Sequence, residues 1–343
     1  MRSIALVLAL SAPALSLLVG SEEEDRQKFD AFVAEYASYR REYTVTTRGQ
    51  SEYTKRFAIF RENLRFFDEY NAQKSPITGI TQGITPFADM TEDEWTNRFH
   101  GMRTEDTDDA HLHRINNLTL PFVSDPNFVA PVTVDWRKPT PKLPGGAVAP
   151  VKNQGNCGSC WDFAGIAALE GAHAIATGKL VALSEQEVLD CCNVSTGPHP
   201  CWGCKGGAAV YLYGWVQANG GITTEANYPY VSGKNDKVNA CNVIKEKGPA
   251  AAKVTSSVSL PRPAPDATMI EALAKGPVAI SVSVAGGFRG YKTGVLKAPG
   301  CGSFKIDHGV SLVGYGAFVA YCSFMYLCVC AAVSGSQCLP VRY

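Results

Sequence analysis

An α+β architecture, with a helical half preceding a β half and a further helical segment ahead of both, follows from three patterns in the sequence. Apolar residues recur at helical spacing over residues 161–177, 184–192 and 208–218. Short apolar runs of strand character come later, at 278–284 and 309–315. Far upstream, residues 29–71 are charged and helix-patterned. Helices grouped before strands, rather than alternating with them, point away from a parallel α/β sheet.

The 343 residues are 45% hydrophobic and 19% charged, an ordinary globular composition and enough chain for a large core or two modest ones. Lysine plus arginine equals aspartate plus glutamate at 32 each, so no excess of charge argues for nucleic acid or an anionic membrane as partner. Residues 1–21 carry Arg2, an apolar run over 4–10, a break at Pro13 and small residues, which predicts a secretory signal cleaved near Gly20 or Ser21. An uncleaved anchor fits less well, because the run is short and the acidic Glu22, Glu23, Glu24 and Asp25 follow. Membrane association is therefore not expected. Twelve cysteines suit an oxidising compartment. Asn117 and Asn193 open glycosylation triplets, which arise often by chance.

Residues 104–131 are acidic, contain His and Pro, and lack apolar periodicity, as a linker would. The boundary this suggests lies near Val129 and Ala130, dividing 22–129 from a glycine- and cysteine-dense part over 130–316.

The run Gln154-Gly155-Asn156-Cys157-Gly158-Ser159-Cys160-Trp161 carries the most chemistry. A thiol is a good nucleophile only as thiolate, and the positive end of a helix lowers its pKa. Cys160 is placed at such a start, with Gly158 for a turn, Ser159 as cap, and Phe163, Ile166, Ala167 and Ile175 giving the helix a buried face. Gln154 and the Cys160 backbone N–H supply donors for an oxyanion. A buried or disulfide-bonded Cys160 is the bland alternative. Cys157 to Trp161, however, match the C-G-[SA]-C-[WY] signature at every position, and Ile306-Asp307-His308-Gly309-Val310 opens a downstream apolar strand.

On these residues the chain resembles the papain family of cysteine peptidases. The likeness extends to Val134-Asp135-Trp136-Arg137, Leu183-Ser184-Glu185-Gln186-Glu187, Gly203-Cys204-Lys205-Gly206-Gly207, Tyr228-Pro229-Tyr230 and Gly276-Pro277-Val278. It implies a papain-like two-domain fold, a helical domain plus a β-barrel-like domain around a cleft. Cys160 would be the nucleophile and His308 the base that holds the thiolate and protonates the leaving amine. It also implies pairing of Cys157 with Cys204 and Cys191 with Cys241; Cys192 with Cys201 is a weaker guess. Gly207, Ala208, Ala209, Ala279 and Gly309 would lie near the pocket for the residue two before the cut, although small residues also serve close packing. His100, His111, His113, His173 and His199 fit ordinary polar or surface roles. A zinc set from Cys191, Cys192, His199, Cys201 and Cys204 is conceivable by residue type, but secretion favours disulfides, so no metal or other cofactor is expected.

Upstream, Glu52, Arg56, Phe60, Asn63, Phe67 and Asn71 fall on one stripe of a helix. An amphipathic helix alone explains the spacing, but the identities resemble the ERFNIN pattern of cathepsin L-like propeptides, and Gly83 to Asp89 resembles the second propeptide motif. The implied roles are to help fold the enzyme and to block its cleft until acid cleavage near Ala130 releases it.

The resemblance stops at Gly316. Residues 317–343 lack the Asn-Ser-Trp segment that orients the catalytic histidine in the family, and Cys301 loses its expected partner there. A misread C-terminus, an inactive homologue and a membrane anchor are the three explanations. The missing strands would leave an open hydrophobic edge on the β half. Asp162 also departs, standing where the family has a small residue. A carboxylate there suits a helix's first turn but opposes a nearby thiolate. The expected function is a secreted, lysosomal or vacuolar cysteine endopeptidase made as a zymogen, with peptide or protein substrates and its own propeptide as intramolecular inhibitor. The alternative is an inactive homologue that binds or inhibits.

Overall fold

The computed structural model describes residues 20–36, 52–96, 119–192, 201–234, 236–242, 250–261, 264–282, 288–295 and 307–316, with the backbone of 97–99, 326–333 and 337–342. Cys301, Asn117, Asn193, nearly all of the signal segment and the histidines at 100, 111, 113 and 199 lie outside these residues.

The N-terminal part holds α1 (Glu22–Glu35), α2 (Glu52–Gln73), α3 (Ser75–Thr78), β1 (Ile80–Gln82) and α4 (Glu92–Phe99). Ser21 starts α1 through a reciprocal cap with Glu24. Phe29, Phe32, Phe57, Phe60 and Phe67 then join α1 to α2 in an aromatic core. The ERFNIN-like stripe does more than face this core. Asn63 Nδ2 donates to the carbonyls of Ala88 (2.7 Å) and Met90 (2.9 Å), and Asn71 exchanges two hydrogen bonds with the Gln82 backbone. Arg56 grips both oxygens of Glu94, at 2.6 and 2.9 Å, and Glu52 at 2.7 Å. The stripe thus fixes the loop that carries the second propeptide motif.

β2 (Leu120–Pro121) and β3 (Val134–Asp135) lead into the helical half, α5 (Cys160–Thr177), α6 (Glu185–Cys191) and α7 (Ala209–Ala218). Trp161, Ile166, Leu189, Tyr211, Leu212 and Trp215 share its core. Disulfides join Cys157 to Cys204, Cys191 to Cys241 and Cys192 to Cys201; among the cysteines whose side chains are described, Cys160 is the one outside these bridges. The four cysteines of the conceivable zinc set are therefore oxidised and offer no thiolate. α5 is buried nearly all round for three turns, while Ile175, expected on its buried face, is exposed. The helix is sandwiched between α7 and the β half, so its apolar positions form no single stripe until its last turn, where that cover ends.

The β half comprises β4 (Val258–Ser259), α8 (Asp266–Lys275), β5 (Val278–Val282), β6 (Tyr291–Gly294), β7 (His308–Leu312) and β8 (Gly314–Tyr315). The expected strand over 309–315 is thus two strands. β5 and β7 pair antiparallel from Val278 opposite Leu312 to Val282 opposite His308. β9 (Tyr326–Val333) and β10 (Gln337–Arg342) complete the sheet order β5-β7-β10-β9, with Arg342 opposite Ser311. The edge expected to stand open is thus covered by backbone of the tail.

Candidate active site

The approach to α5 is built from backbone. Gly155 sits at φ +62° with Gly233 so close that a Cβ would lie 2.5 Å from its carbonyl oxygen. Only glycine meets both demands. The Cys157–Cys204 bridge and a hydrogen bond from Gly158 N–H to the Cys204 carbonyl (3.0 Å) then fix the turn into the helix. Ser159 is the N-cap residue by position, but its hydroxyl caps no N–H of the helix. That oxygen instead lies 3.0 Å from the Tyr230 hydroxyl, which donates to the Gln154 carbonyl at 2.7 Å. The helix start therefore keeps N–H groups that no side chain caps, which preserves its positive end beside Cys160.

Cys160 is the first residue of α5 and is buried. Gln154, also buried, donates one amide N–H to the Cys157 carbonyl at 2.9 Å. A primary amide has two such hydrogens, so this bond orients the group and leaves a second donor.

His308 opens β7, and the next residue sets that strand against the start of α5. Gly309 lies against the helix start: a Cβ there would stand 3.0 Å from the Cys160 carbonyl oxygen and 3.2 Å from the Trp161 Cα. No larger residue lets β7 approach so closely, and this approach carries the His308 end of β7 to the first turn of α5. Gly207 plays the same part on the other flank, since its Cβ would fall 2.6 Å from the Trp161 ring. The Trp161 indole donates to the Gly203 carbonyl at 3.1 Å. Close packing accounts for both glycines. Ala208 is the N-cap of α7, Ala209 its first residue, packed on Gly165, and Ala279 pairs with Ser311 in the sheet.

The N-terminal part seats itself on the β half. β1 pairs antiparallel with β6, Gly83 N–H donates to the Gly290 carbonyl (2.8 Å), and Thr85 Oγ1 donates to the Arg289 carbonyl (2.7 Å). The Phe67 ring occupies the space above Gly290, where a Cβ would lie 2.3 Å from it. Tyr70, Ile80, Met90 and Trp95 share one core with Leu273, Tyr291, Val310 and Leu312. Sequence reasoning missed this joint core and the contact residues Arg289 and Gly290. Unlike the signature cysteine, they carry no local pattern that would have revealed them.

A helical half and a β half that meet at a thiol on a helix start and a histidine on a strand, with a helical segment docked on the β half, make up a cysteine peptidase in its propeptide-covered form. Residues 130–322 match the model of the papain family of cysteine proteases, and residues 29–95 match the cathepsin propeptide inhibitor domain. Caricain of Carica papaya is 34% identical over 300 residues, covering 87% of this chain and 78% of that protein. Vignain of Ricinus communis is 35% identical over 324 residues, covering 92% and 80%. Among solved structures, a recombinant stem bromelain precursor superposes with a TM-score of 0.68 at 30% identity, covering 86% of this chain and 84% of that one. Digestive procathepsin L 3 of Tenebrio molitor gives 0.69 at 26%, covering 86% and 85%. The chain belongs to the papain family and is a cysteine protease made with an inhibitory propeptide.

Proposed function

We propose that this protease is an endopeptidase of the secretory pathway, working outside the cell or in a lysosome or vacuole, and that it cuts protein chains through Cys160 and His308. The observation that carries the assignment is the packing of Gly309 on the Cys160 backbone, which sets the histidine strand against the nucleophile's helix start. The Cys160 thiolate attacks the scissile carbonyl, and His308 protonates the departing amine. Gln154 and the Cys160 N–H receive the oxyanion, and water activated by His308 then frees the acyl group. The mature enzyme begins near Ala130, residues 22–129 are removed, and Ala208, Ala209 and Ala279 leave room for a large apolar residue two before the cut.

An epoxide or vinyl-sulfone probe that reacts with activated thiols tests the mechanism. It should label the acid-processed chain at Cys160 and leave Cys160→Ala unlabelled and inactive, with folding unchanged. Full turnover by Cys160→Ala would end the assignment. Residues 317–343 contain no asparagine, so a chain whose residues after Gly316 are replaced by an Asn-Ser-Trp segment should turn over a Phe-Arg reporter faster. Equal rates would mean that another group or a water orients the imidazole.

A further inference from the structure

Behind the first turn of α5 lies a group of carboxyls that peptide hydrolysis does not use. Asp162 is wholly buried, and neither of its oxygens has a hydrogen-bond partner. At the third position of a helix an aspartate ordinarily serves the positive end. Here it belongs to a cluster with Lys152 from the approach segment, Glu185 at the start of α6, and Glu225 and Tyr230 from the loop after α7. Glu170, two turns along α5, shares Lys152: the Lys152 Nζ reaches Oε1 of Glu170 and of Glu185 at 2.6 Å each. The second oxygens of Glu170, Glu185 and Glu225 have no partner either. On the flank of α5 that meets β7, Asp307 and His308 are the buried titratable groups. Two of these carboxylates, Glu170 and Glu185, share the one ammonium, and Asp162 has no donor at all. A buried carboxylate without a donor is far less favourable than the neutral acid, which favours the protonated form of Asp162.

We propose that Asp162 is a proton-holding residue whose ionisation works against the packing of the nucleophile's helix, so that the folded enzyme is favoured in acid and short-lived above it. Burial first, then Glu185, pushes the Asp162 carboxyl well above its ordinary range; Lys152 opposes this, and Glu225 adds a smaller push. Burial likewise pushes Glu185 up to about 7, although Lys152 opposes it. The sign follows from linkage. The unfolded chain gives up these protons in the ordinary carboxylate range while the folded chain keeps them, so stability is full below that range and falls as pH rises toward 7 and beyond.

Asp162→Asn keeps the shape and removes the charge. Thermal unfolding of the full chain at pH 4 should be the same for both proteins, and at pH 7.5 the variant should unfold several degrees higher. The acid-activated variant should also lose activity several-fold more slowly at neutral pH. An offset equal at every pH would mark a packing effect and overturn the proposal, as would no offset. Asp162→Ala provides the same comparison if the asparagine does not fold. The wild-type chain offers a test that needs no variant: at pH 6.5 the folded protein should show the infrared carbonyl stretch of a carboxylic acid, lost on unfolding, and its absence overturns the proposal. The inference rests on the Cys160 reading only for its activity readout. Loss of probe labelling with the pH-dependent offset intact would sink that reading alone, and labelling without the offset would sink this one.

Discussion

Gly309 shows how one missing methyl group can decide a reaction. A Cβ there meets the Cys160 carbonyl oxygen at 3.0 Å, and backbone, unlike a flexible side chain, cannot step aside. Gly309→Ala should push β7 off α5 by a few tenths of an ångström and slow probe labelling of Cys160 at least about 10-fold, since small misplacements of reacting groups are costly. Stability should fall by about 1–3 kcal/mol, within the range of overpacked cores. Labelling at the wild-type rate would show that the strand has slack there. Cys157 has a different part: its bridge to Cys204 ties the approach turn to the loop beneath Trp161. Cys157→Ala should lower unfolding stability by about 2–5 kcal/mol in urea under non-reducing conditions. An unchanged midpoint would mean the turn holds without its staple.

Among the elements, α2 links sequence to regulation. Burial alone would raise the Glu94 carboxyl, but the two-point grip of Arg56 and the Thr91 N–H hold it below its ordinary value. A lowered carboxyl contributes stability above its unfolded pKa and loses it as pH falls through the folded one, so this clamp weakens in acid. Glu94→Gln should weaken binding of the separate propeptide to the mature enzyme roughly 10-fold at pH 7, from the loss of a charge-assisted pair. Below the Glu94 pKa the two should converge, and a pH-independent difference would remove Glu94 from the acid response. The stripe on α2 and the signature at the start of α5 were visible in the sequence because each is a local pattern along one helix, whereas the side-chain cap expected of Ser159 is not made. Ile175 misled because period alone cannot say where a neighbour's cover ends. The Ser159 hydroxyl, the seat of Phe67 over Gly290 and the carboxyl cluster around Asp162 join residues from distant segments, and no spacing along the chain encodes them.

At the scale of the whole molecule, the propeptide and the β half are one hydrophobic body. Tyr70, Met90 and Trp95 lie in the same core as Leu273, Val310 and Leu312, the last two on the strand that carries His308. A chain starting at residue 130 should therefore express mainly as aggregate, and addition of residues 20–129 in trans during refolding should raise the soluble yield several-fold. Equal yields with and without the propeptide would show that the β half closes its own core. Once the propeptide is cut and lost, a molecule that unfolds has no partner on which to rebuild that core. The barrier to unfolding, rather than the free-energy difference between folded and unfolded chains, then sets how long the mature enzyme survives. Each zymogen thus carries a fixed allotment of working time that begins with its own activation, and the total proteolysis it delivers scales with how slowly that core opens.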